Sequence, residues 1–204
     1  MPNRNRSEIS EHYPGVSCHW DSVHNVYAVR VLPGQYYVTD RSDQMISTVL
    51  GSCIAACIRD PEIGVGGLNH FMLPGGDVAA DGVAARYGIY AMEHLINDII
   101  RRGGDKRRLE IKLFGGGKIM RGLTDIGAKN IKFVREFLSV EGYPIAAADL
   151  GESFSRKVNY FPTTGQVLVK RLRSLHAQQI AREETDYGKT LVEQPEYGDI
   201  ELFD

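Results

Sequence analysis

The sequence predicts an α+β fold in which stacked β-sheets form the core and two main helices pack outside. Short apolar or alternating segments, separated by turns that contain Gly or Pro, predict strands along most of the chain. Two longer segments, 83–102 and 127–140, carry the helical repeat of apolar residues. Because two helices cannot cover both faces of every strand in a doubly wound sheet, a sheet-rich core is favoured.

Composition indicates an ordinary globular protein. The 204 residues are 43% hydrophobic and 25% charged, with a formal net charge of -2, so no global field attracts nucleic acid or anionic lipid. Residues 1–15 lack the apolar core of a signal peptide, and no stretch approaches the ~20 apolar residues of a membrane helix. We therefore expect a cytoplasmic protein with no nucleic-acid partner and no direct membrane insertion.

The number of cysteines predicts free thiols and no disulfide framework. Cys18, Cys53 and Cys57 are too few, and odd in number, for a disulfide framework. In a reducing cytoplasm a free thiol persists and can act as a reagent.

The chain divides by composition into three parts. Residues 1–27 are polar and mixed, and we expect a flexible N-terminal extension. Residues 28–173 hold the predicted strands and helices and are expected to form the main domain. Residues 174–204 are rich in Asp and Glu and predict a short helical stub followed by a solvated acidic tail.

The first part of the domain is predicted to contain five short strands. Two lie in 28–39, on either side of a Pro-Gly turn, and a third at 46–50 leads into Gly51-Ser52-Cys53. The apolar runs 54–59 and 65–73 flank a turn that contains Pro and Gly, which predicts a β-hairpin.

The helices and the remaining strands follow. The first helix, over 83–102, carries Arg101 and Arg102 in its last turn and Gly103-Gly104 after it, which suits the helix dipole and a C-cap. The side chains expected to face the core from the second helix are Ile131, Val134, Phe137 and Leu138. Further strands are predicted at 109–114, 144–149, 156–161 and 166–172.

The hairpin carries the candidate chemistry. If it turns about Pro61-Glu62, Cys53 lies directly opposite His70, with the Cβ atoms ~5 Å apart and both side chains on one face. A slip of one residue would put them on opposite faces, so the prediction depends on the register. An imidazole at that distance can take the thiol proton, whose pKa is ~8.5 in a free cysteine. The pair therefore predicts a cysteine nucleophile with a histidine base.

Neighbouring residues support that chemistry. Gly51 and Ser52 would leave backbone N–H groups exposed at the nucleophile, and the amides of Ser52 and Cys53 are the expected oxyanion donors. Ser47 lies at the far end of the preceding strand, where its hydroxyl or carbonyl could orient His70.

Two other interpretations of these residues stay open. A single cysteine is often a small buried hydrophobic residue, and a single histidine in a strand is often a core residue with satisfied hydrogen bonds. Cys57 shares the face of Cys53 and could join Cys53 and His70 as a zinc ligand. The sequence offers no CxxC pair or second nearby His for such a site, so simple packing is the preferred role of Cys57.

Taken together, these motifs resemble a known family. The stretch Leu50-Gly51-Ser52-Cys53, followed by Asp60-Pro61 and by NHFMLP at 69–74, closely resembles the CheD family. Other segments that resemble it are Arg86-Tyr87-Gly88, FGGG at 114–117, IGAKNI at 126–131 and GQVLV at 165–169. The resemblance covers about residues 28–173.

The resemblance implies a deamidase that converts selected glutamine side chains of chemoreceptors to glutamate and releases ammonia. It also implies hydrolysis of receptor glutamyl methyl esters. The implied fold is similar to that of the necrotizing-factor toxin deamidases, and the implied site uses no cofactor and no metal. The substrate would be the cytoplasmic helices of the receptor. A CheC-type phosphatase of the response regulator is an implied partner, and an adaptor that binds this phosphatase is the alternative function.

The resemblance also implies a set of three catalytic residues, namely a Cys, a His and a hydroxyl residue that is usually Thr. The first two map onto Cys53 and His70. The third maps onto Ser47, which keeps the hydroxyl but lacks the methyl group. Thr48 is next to it and is the alternative for this role.

Overall fold

The computed structural model describes residues 12–73, 81–119, 125–172 and 174–193. Within these segments ten strands form two five-stranded sheets. None of the helices in these segments is long and apolar enough to cross a membrane.

From β2 to β10 the strands and helices follow one another as the patterning predicts, whereas β1 is an additional strand and the C-terminal helix is longer than the predicted stub. The strands are β1 (Ser17–Asp21), β2 (Val26–Arg30), β3 (Tyr36–Thr39), β4 (Gln44–Leu50), β5 (Ile54–Asp60), β6 (Val65–Phe71), β7 (Glu110–Gly115), β8 (Ile145–Leu150), β9 (Arg156–Phe161) and β10 (Gln166–Arg171). The helices are α1 (Asp81–Arg101), α2 (Ile126–Val140) and α3 (Ser174–Glu193), and a 3-10 turn spans Lys106–Arg108.

The ten strands divide equally between the two sheets. The first sheet has the order β1-β2-β4-β9-β10 and the second has the order β3-β6-β5-β7-β8. Only the pairs β2–β4 and β7–β8 are parallel among the pairings of the described strands. Consecutive strands β4 and β5 therefore belong to different sheets, and the chain crosses between the sheets after Leu50.

The main core lies between the two sheets. Ile46 and Leu50 of the first sheet are fully buried in one cluster with Ile54 and Leu68 of the second. Helix α1 packs on β3, β5 and β6, and α2 packs on β5 and on α1. Stacked sheets with helices outside are thus confirmed as the architecture.

The register of the β5–β6 hairpin differs from the prediction. His70 is paired with Ala55, not with Cys53. The turn contains four residues, since Asp60 pairs with Val65 and the Gly64 amide donates to the Asp60 carbonyl. The predicted direct opposition of Cys53 and His70 is therefore wrong by two residues. Because the error is an even number, the shared face is preserved.

The N-terminal prediction also needs correction. The flexible extension was expected over 1–27, but residues 17–21 form the edge strand β1. Tyr13 is buried, donates to Asp98 over 2.6 Å and accepts from Arg102 over 2.8 Å. One aromatic side chain and its hydrogen bonds hold this polar segment against α1.

The C-terminal prediction fails in a similar way. Residues 174–193 form a helix of five to six turns, and within it Ile180 and Glu184 are buried. The expected solvated tail begins no earlier than residue 194, and residues 194–204 lie outside the described segments.

A glycine-rich loop packs against the crossing between the sheets. Gly115 has a φ of 110°, and the amides of Gly116 and Gly117 donate to the carbonyls of Cys53 and Gly51 over 2.8 and 2.7 Å. A Cβ on Gly115 would press against the Cys53 carbonyl oxygen, closer than real Cβ atoms approach. This loop therefore fixes the backbone on both sides of Ser52.

We expect Gly115→Ala to lower the free energy of unfolding by about 3 kcal/mol or more, because it adds a backbone clash to the cost of a positive φ. Gly142→Ala is the matched control, since Gly142 has a φ of 74° and open space around it. That control should lose only about 1–2 kcal/mol. Urea unfolding measures both, and equal losses would contradict the packing role of Gly115.

Candidate active site

Three buried side chains that are candidates for a functional role meet at the end of the interface between the sheets. Cys53 lies on the crossing from β4 to β5, His70 lies on β6 and Glu184 lies on α3. The Cys53 sulfur, a His70 ring nitrogen and a Glu184 carboxylate oxygen lie within 4.8 Å of one another, and all three residues are buried. The structure thus brings together Cys53 and His70, which the sequence singled out, and adds an acidic residue from the C-terminal helix.

Backbone amides of the crossing converge on the Glu184 carboxylate. Its Oε1 accepts from the amides of Gly51 and Cys53 over 2.8 and 3.3 Å. Its Oε2 accepts from the amide and the hydroxyl of Ser52 over 2.8 and 2.6 Å. Three consecutive amides that point at one anion form a site for negative charge. The two expected oxyanion donors, Ser52 and Cys53, are among them.

Thr48 sets the orientation of His70. Thr48 Oγ1 lies 2.8 Å from His70 Nδ1 and 2.8 Å from the Val31 carbonyl oxygen. A hydroxyl has one proton, and the carbonyl can only accept, so Thr48 donates to Val31 and accepts from Nδ1–H. We therefore assign the proton of neutral His70 to Nδ1. The lone pair on Nε2 is then the base available to Cys53.

Ser47 does not contact His70 and bonds to another strand of its own sheet. Its hydroxyl donates to Asn159 Oδ1 over 2.9 Å, on the face of the first sheet that points away from the second. Successive side chains of a strand point to opposite faces, so Ser47 and Thr48 cannot both reach His70. The contact expected of Ser47 is made by Thr48, the alternative that the sequence analysis left open.

Burial dominates the acid–base properties of the pair. Burial, together with the nearby Glu184 carboxylate, raises the pKa of the Cys53 thiol well above its usual value. Burial lowers the pKa of His70 to about 4, although the Glu184 carboxylate opposes this shift. Both groups are therefore neutral at pH 7, and the thiolate–imidazolium ion pair expected from the sequence is disfavoured while Glu184 is in place.

A buried asparagine holds the crossing from the other side. Asn130 of α2 is fully buried, donates to the Ser52 carbonyl over 2.8 Å and accepts from the Leu73 amide over 2.9 Å. This residue was not among those singled out from the sequence. Its signal was a polar residue in a helical stripe whose other buried members are Gly127, Val134 and Leu138.

Glu184 was also missed, because it stands among many acidic residues. The helical spacing carries a signal nonetheless. Ile180, Glu184, Tyr187 and Leu191 follow one another at intervals of four, three and four residues, which places them on one face of α3. An acidic residue inside an otherwise apolar stripe is the feature that distinguishes it.

A cleft of about 410 Å³ leads to His70. Residues 33–36 and helix α1 form two of its walls, and Tyr187 and Leu191 of α3 form the third. Tyr187 also shares a short hydrogen bond with Tyr87 of α1. Helix α3 therefore forms one wall of the cleft beside His70.

The same three side chains are the described residues whose donor atoms could hold a metal ion. Cys57 is not among them, since it lies further along β5 beside Leu68 and Lys112. A zinc ion would take Cys53, His70 and Glu184 as ligands. The four hydrogen bonds to Glu184 already satisfy its oxygens, so the carboxylate is balanced by the protein itself.

Comparison with known proteins points to one family. The family model for CheD, described as CheD chemotactic sensory transduction, matches residues 72–171. A probable chemoreceptor glutamine deamidase CheD of Hahella chejuensis is 46% identical over 197 residues, which cover 94% of this chain and 92% of that protein. Its counterpart in Rhodopseudomonas palustris is 50% identical over 181 residues, which cover 86% and 84% of the two chains.

One solved structure shows a remote likeness to this chain. The Bacillus licheniformis hypothetical protein YfiH has a TM-score of 0.37 and 16% identity, over 58% of this chain and 49% of its own.

We expect His70 to stay neutral, with its proton on Nδ1, from neutral pH down to about pH 4. An unfolded histidine takes up a proton near pH 6.5, so acidification from 6.5 towards 4 should lower the free energy of unfolding. NMR of the ring nitrogens measures both the tautomer and the titration. Thr48→Val should disturb the tautomer, and Ser47→Ala should not. Titration of His70 near pH 6.5, or a proton on Nε2, would contradict the assignment.

Proposed function

Because the chain belongs to the CheD family, we propose that it is a protein-glutamine deamidase that acts on chemoreceptors, with Cys53 as nucleophile. The observation that carries the proposal is the group at the end of the interface between the sheets. There a thiol, a histidine base and three converging amides lie within reach of one side-chain carbonyl. These are the parts that acyl transfer from a carboxamide requires.

The reaction begins with two neutral groups. The Cys53 sulfur attacks the Cδ atom of a glutamine side chain while its proton passes to His70 Nε2. Thr48 accepts a hydrogen bond from Nδ1–H of the resulting imidazolium and keeps the ring in place. Since burial disfavours both charged forms before reaction, proton transfer accompanies the attack and does not precede it.

The amides of the crossing stabilise the intermediate. Negative charge develops on the glutamine oxygen, and the amides of Ser52 and Cys53 donate to it. Donors of this kind are worth about 3 kcal/mol each to the transition state. His70 then protonates the leaving nitrogen, ammonia departs, and water hydrolyses the thioester to give glutamate and the free thiol.

Several finer features belong to the same proposal. We propose that the fold is similar to that of the necrotizing-factor toxin deamidases and that the protein works in the cytoplasm, where the receptor helices lie. Hydrolysis of glutamyl methyl esters would use the same acyl chemistry. Binding of a CheC-type phosphatase stays a prediction from the resemblance.

The nucleophile is tested by Cys53→Ala. We expect it to abolish ammonia release from a cognate receptor fragment, because the other groups cannot form the thioester. Cys57→Ala is the matched control, since Cys57 is equally buried and lies only four residues away on β5. Mass spectrometry of the fragment follows the conversion of glutamine to glutamate. Full activity of the Cys53 variant would refute the mechanism.

The positioning residue is tested by Thr48→Val. Loss of the acceptor for Nδ1–H should lower kcat by about tenfold to a hundredfold with little change in KM. Thr48→Ser keeps the hydroxyl and should restore activity, and Ser47→Ala should retain it because Ser47 bonds to Asn159. A large loss in Ser47→Ala together with full activity in Thr48→Val would return the third role to Ser47.

A further inference from the structure

Helix α3 places a glutamate side chain where the chemistry of the site occurs. The Glu184 carboxylate takes all three amides of the crossing, as well as the Ser52 hydroxyl. One of its oxygens lies within 4.8 Å of the Cys53 sulfur and of a ring nitrogen of His70. Glutamate is also what the proposed reaction leaves behind, since deamidation of glutamine yields this side chain.

We propose that α3 is an intramolecular product analogue, which fills the substrate groove of the enzyme and sets Glu184 in the position of a newly formed glutamate. This inference rests on the proposed function and deepens it. It assigns the groove to one class of ligand, a glutamine carried on the surface of an α-helix. It also assigns to the resting enzyme a self-inhibited state that an incoming helix must displace.

The way α3 is held supports a helix as the ligand. Ile180, Glu184, Tyr187 and Leu191 form one face of α3, with the acidic side chain between apolar anchors. Tyr187 bonds to Tyr87, and Gly188 lets the helix approach Met72 closely. Amphipathic helices bind grooves through anchors at such intervals.

The hydrogen bonds favour product over substrate in this groove. Each Glu184 oxygen accepts two hydrogen bonds. A glutamine in the same place has one oxygen and one amino group, and the amino group would face backbone N–H donors. A glutamate on α3 therefore binds here more tightly than a glutamine would. A reaction product that competes with the substrate for the site would show the same preference.

The negative charge of Glu184 also favours an inactive nucleophile. The Glu184 carboxylate adds to burial in raising the pKa of the Cys53 thiol. While α3 is docked the nucleophile stays protonated, and departure of the carboxylate favours its ionisation.

Replacing Glu184 by glutamine, the side chain that the enzyme is proposed to deamidate, provides the test. In Glu184→Gln the Cys53 sulfur bonds to Cδ of the introduced glutamine, the C–N bond breaks, ammonia leaves with a proton from His70, and water releases Glu184. The variant chain should therefore convert itself back to the wild-type sequence. Peptide mass spectrometry of the full-length protein should find glutamate at position 184, and the double variant Cys53→Ala, Glu184→Gln should retain glutamine there.

Glu183→Gln is the matched control, because residue 183 is exposed on the neighbouring position of α3. Its glutamine should persist. A glutamine that survives at position 184, in a preparation active on a receptor fragment, overturns the inference and leaves the proposed function intact. Failure to convert both this glutamine and the receptor glutamine overturns the two together.

Self-inhibition has a separate readout. Tyr187→Ala removes one anchor of α3, so the KM for a receptor fragment should fall several-fold. The same change introduced into Glu184→Gln should slow the conversion of the glutamine at position 184. An unchanged KM together with an unchanged rate of that conversion would show that the α3 contacts do not govern access.

A measurement on the unaltered protein covers the case in which Glu184→Gln fails to fold. In ¹⁸O-labelled water the protonated Glu184 side chain and Cys53 can form a thioester and release water, and hydrolysis then returns a labelled carboxylate. Label should enter Glu184, should not enter Glu183, and should be absent from Glu184 in Cys53→Ala. Unlabelled Glu184 in the wild-type chain would overturn the inference.

Discussion

The site depends on the point where the chain leaves one sheet and enters the other. Leu50 ends a strand of the first sheet and Ile54 begins a strand of the second, so the three residues between them pair with neither ladder. Their amides are buried, and a buried amide without an acceptor is costly. The structure leaves these donors aimed at one place and supplies an anion there. The N–H groups that need an acceptor for structural reasons therefore include the two that are proposed as oxyanion donors.

The surrounding contacts keep that crossing rigid. Glycine amides of the loop after β7 hold its carbonyls from one side, and Asn130 holds the Ser52 carbonyl from the other. Thr48 belongs to the first sheet and His70 to the second, so their hydrogen bond also ties the sheets together beside the nucleophile. A base carried by one sheet is thus oriented by a hydroxyl carried by the other, and the packing of the sheets fixes their geometry.

The sequence predicted what depends on local pattern and missed what depends on distant contacts. Cys53 and His70 could be paired because they flank one hairpin, and the register error did no harm because it was even. No sequence pattern of this kind distinguished Ser47 from Thr48 as the partner of His70. Strand β4 is buried on both faces, so it lacks the alternation that would show which hydroxyl points inward. Glu184 lies far along the chain in an acidic segment, where composition favours solvent.

The attachment of α3 to the domain has a consequence for regulation. Strand β10 ends at Arg171 and α3 begins at Ser174, so this competitor is tethered by a short link and does not become dilute with the protein. Short tethers give effective concentrations on the order of millimolar. A lone helix at cellular concentration competes poorly with such a ligand, whereas helices crowded side by side reach a comparable local concentration. The tether would make the reaction sensitive to the spatial density of its substrate more than to its total amount.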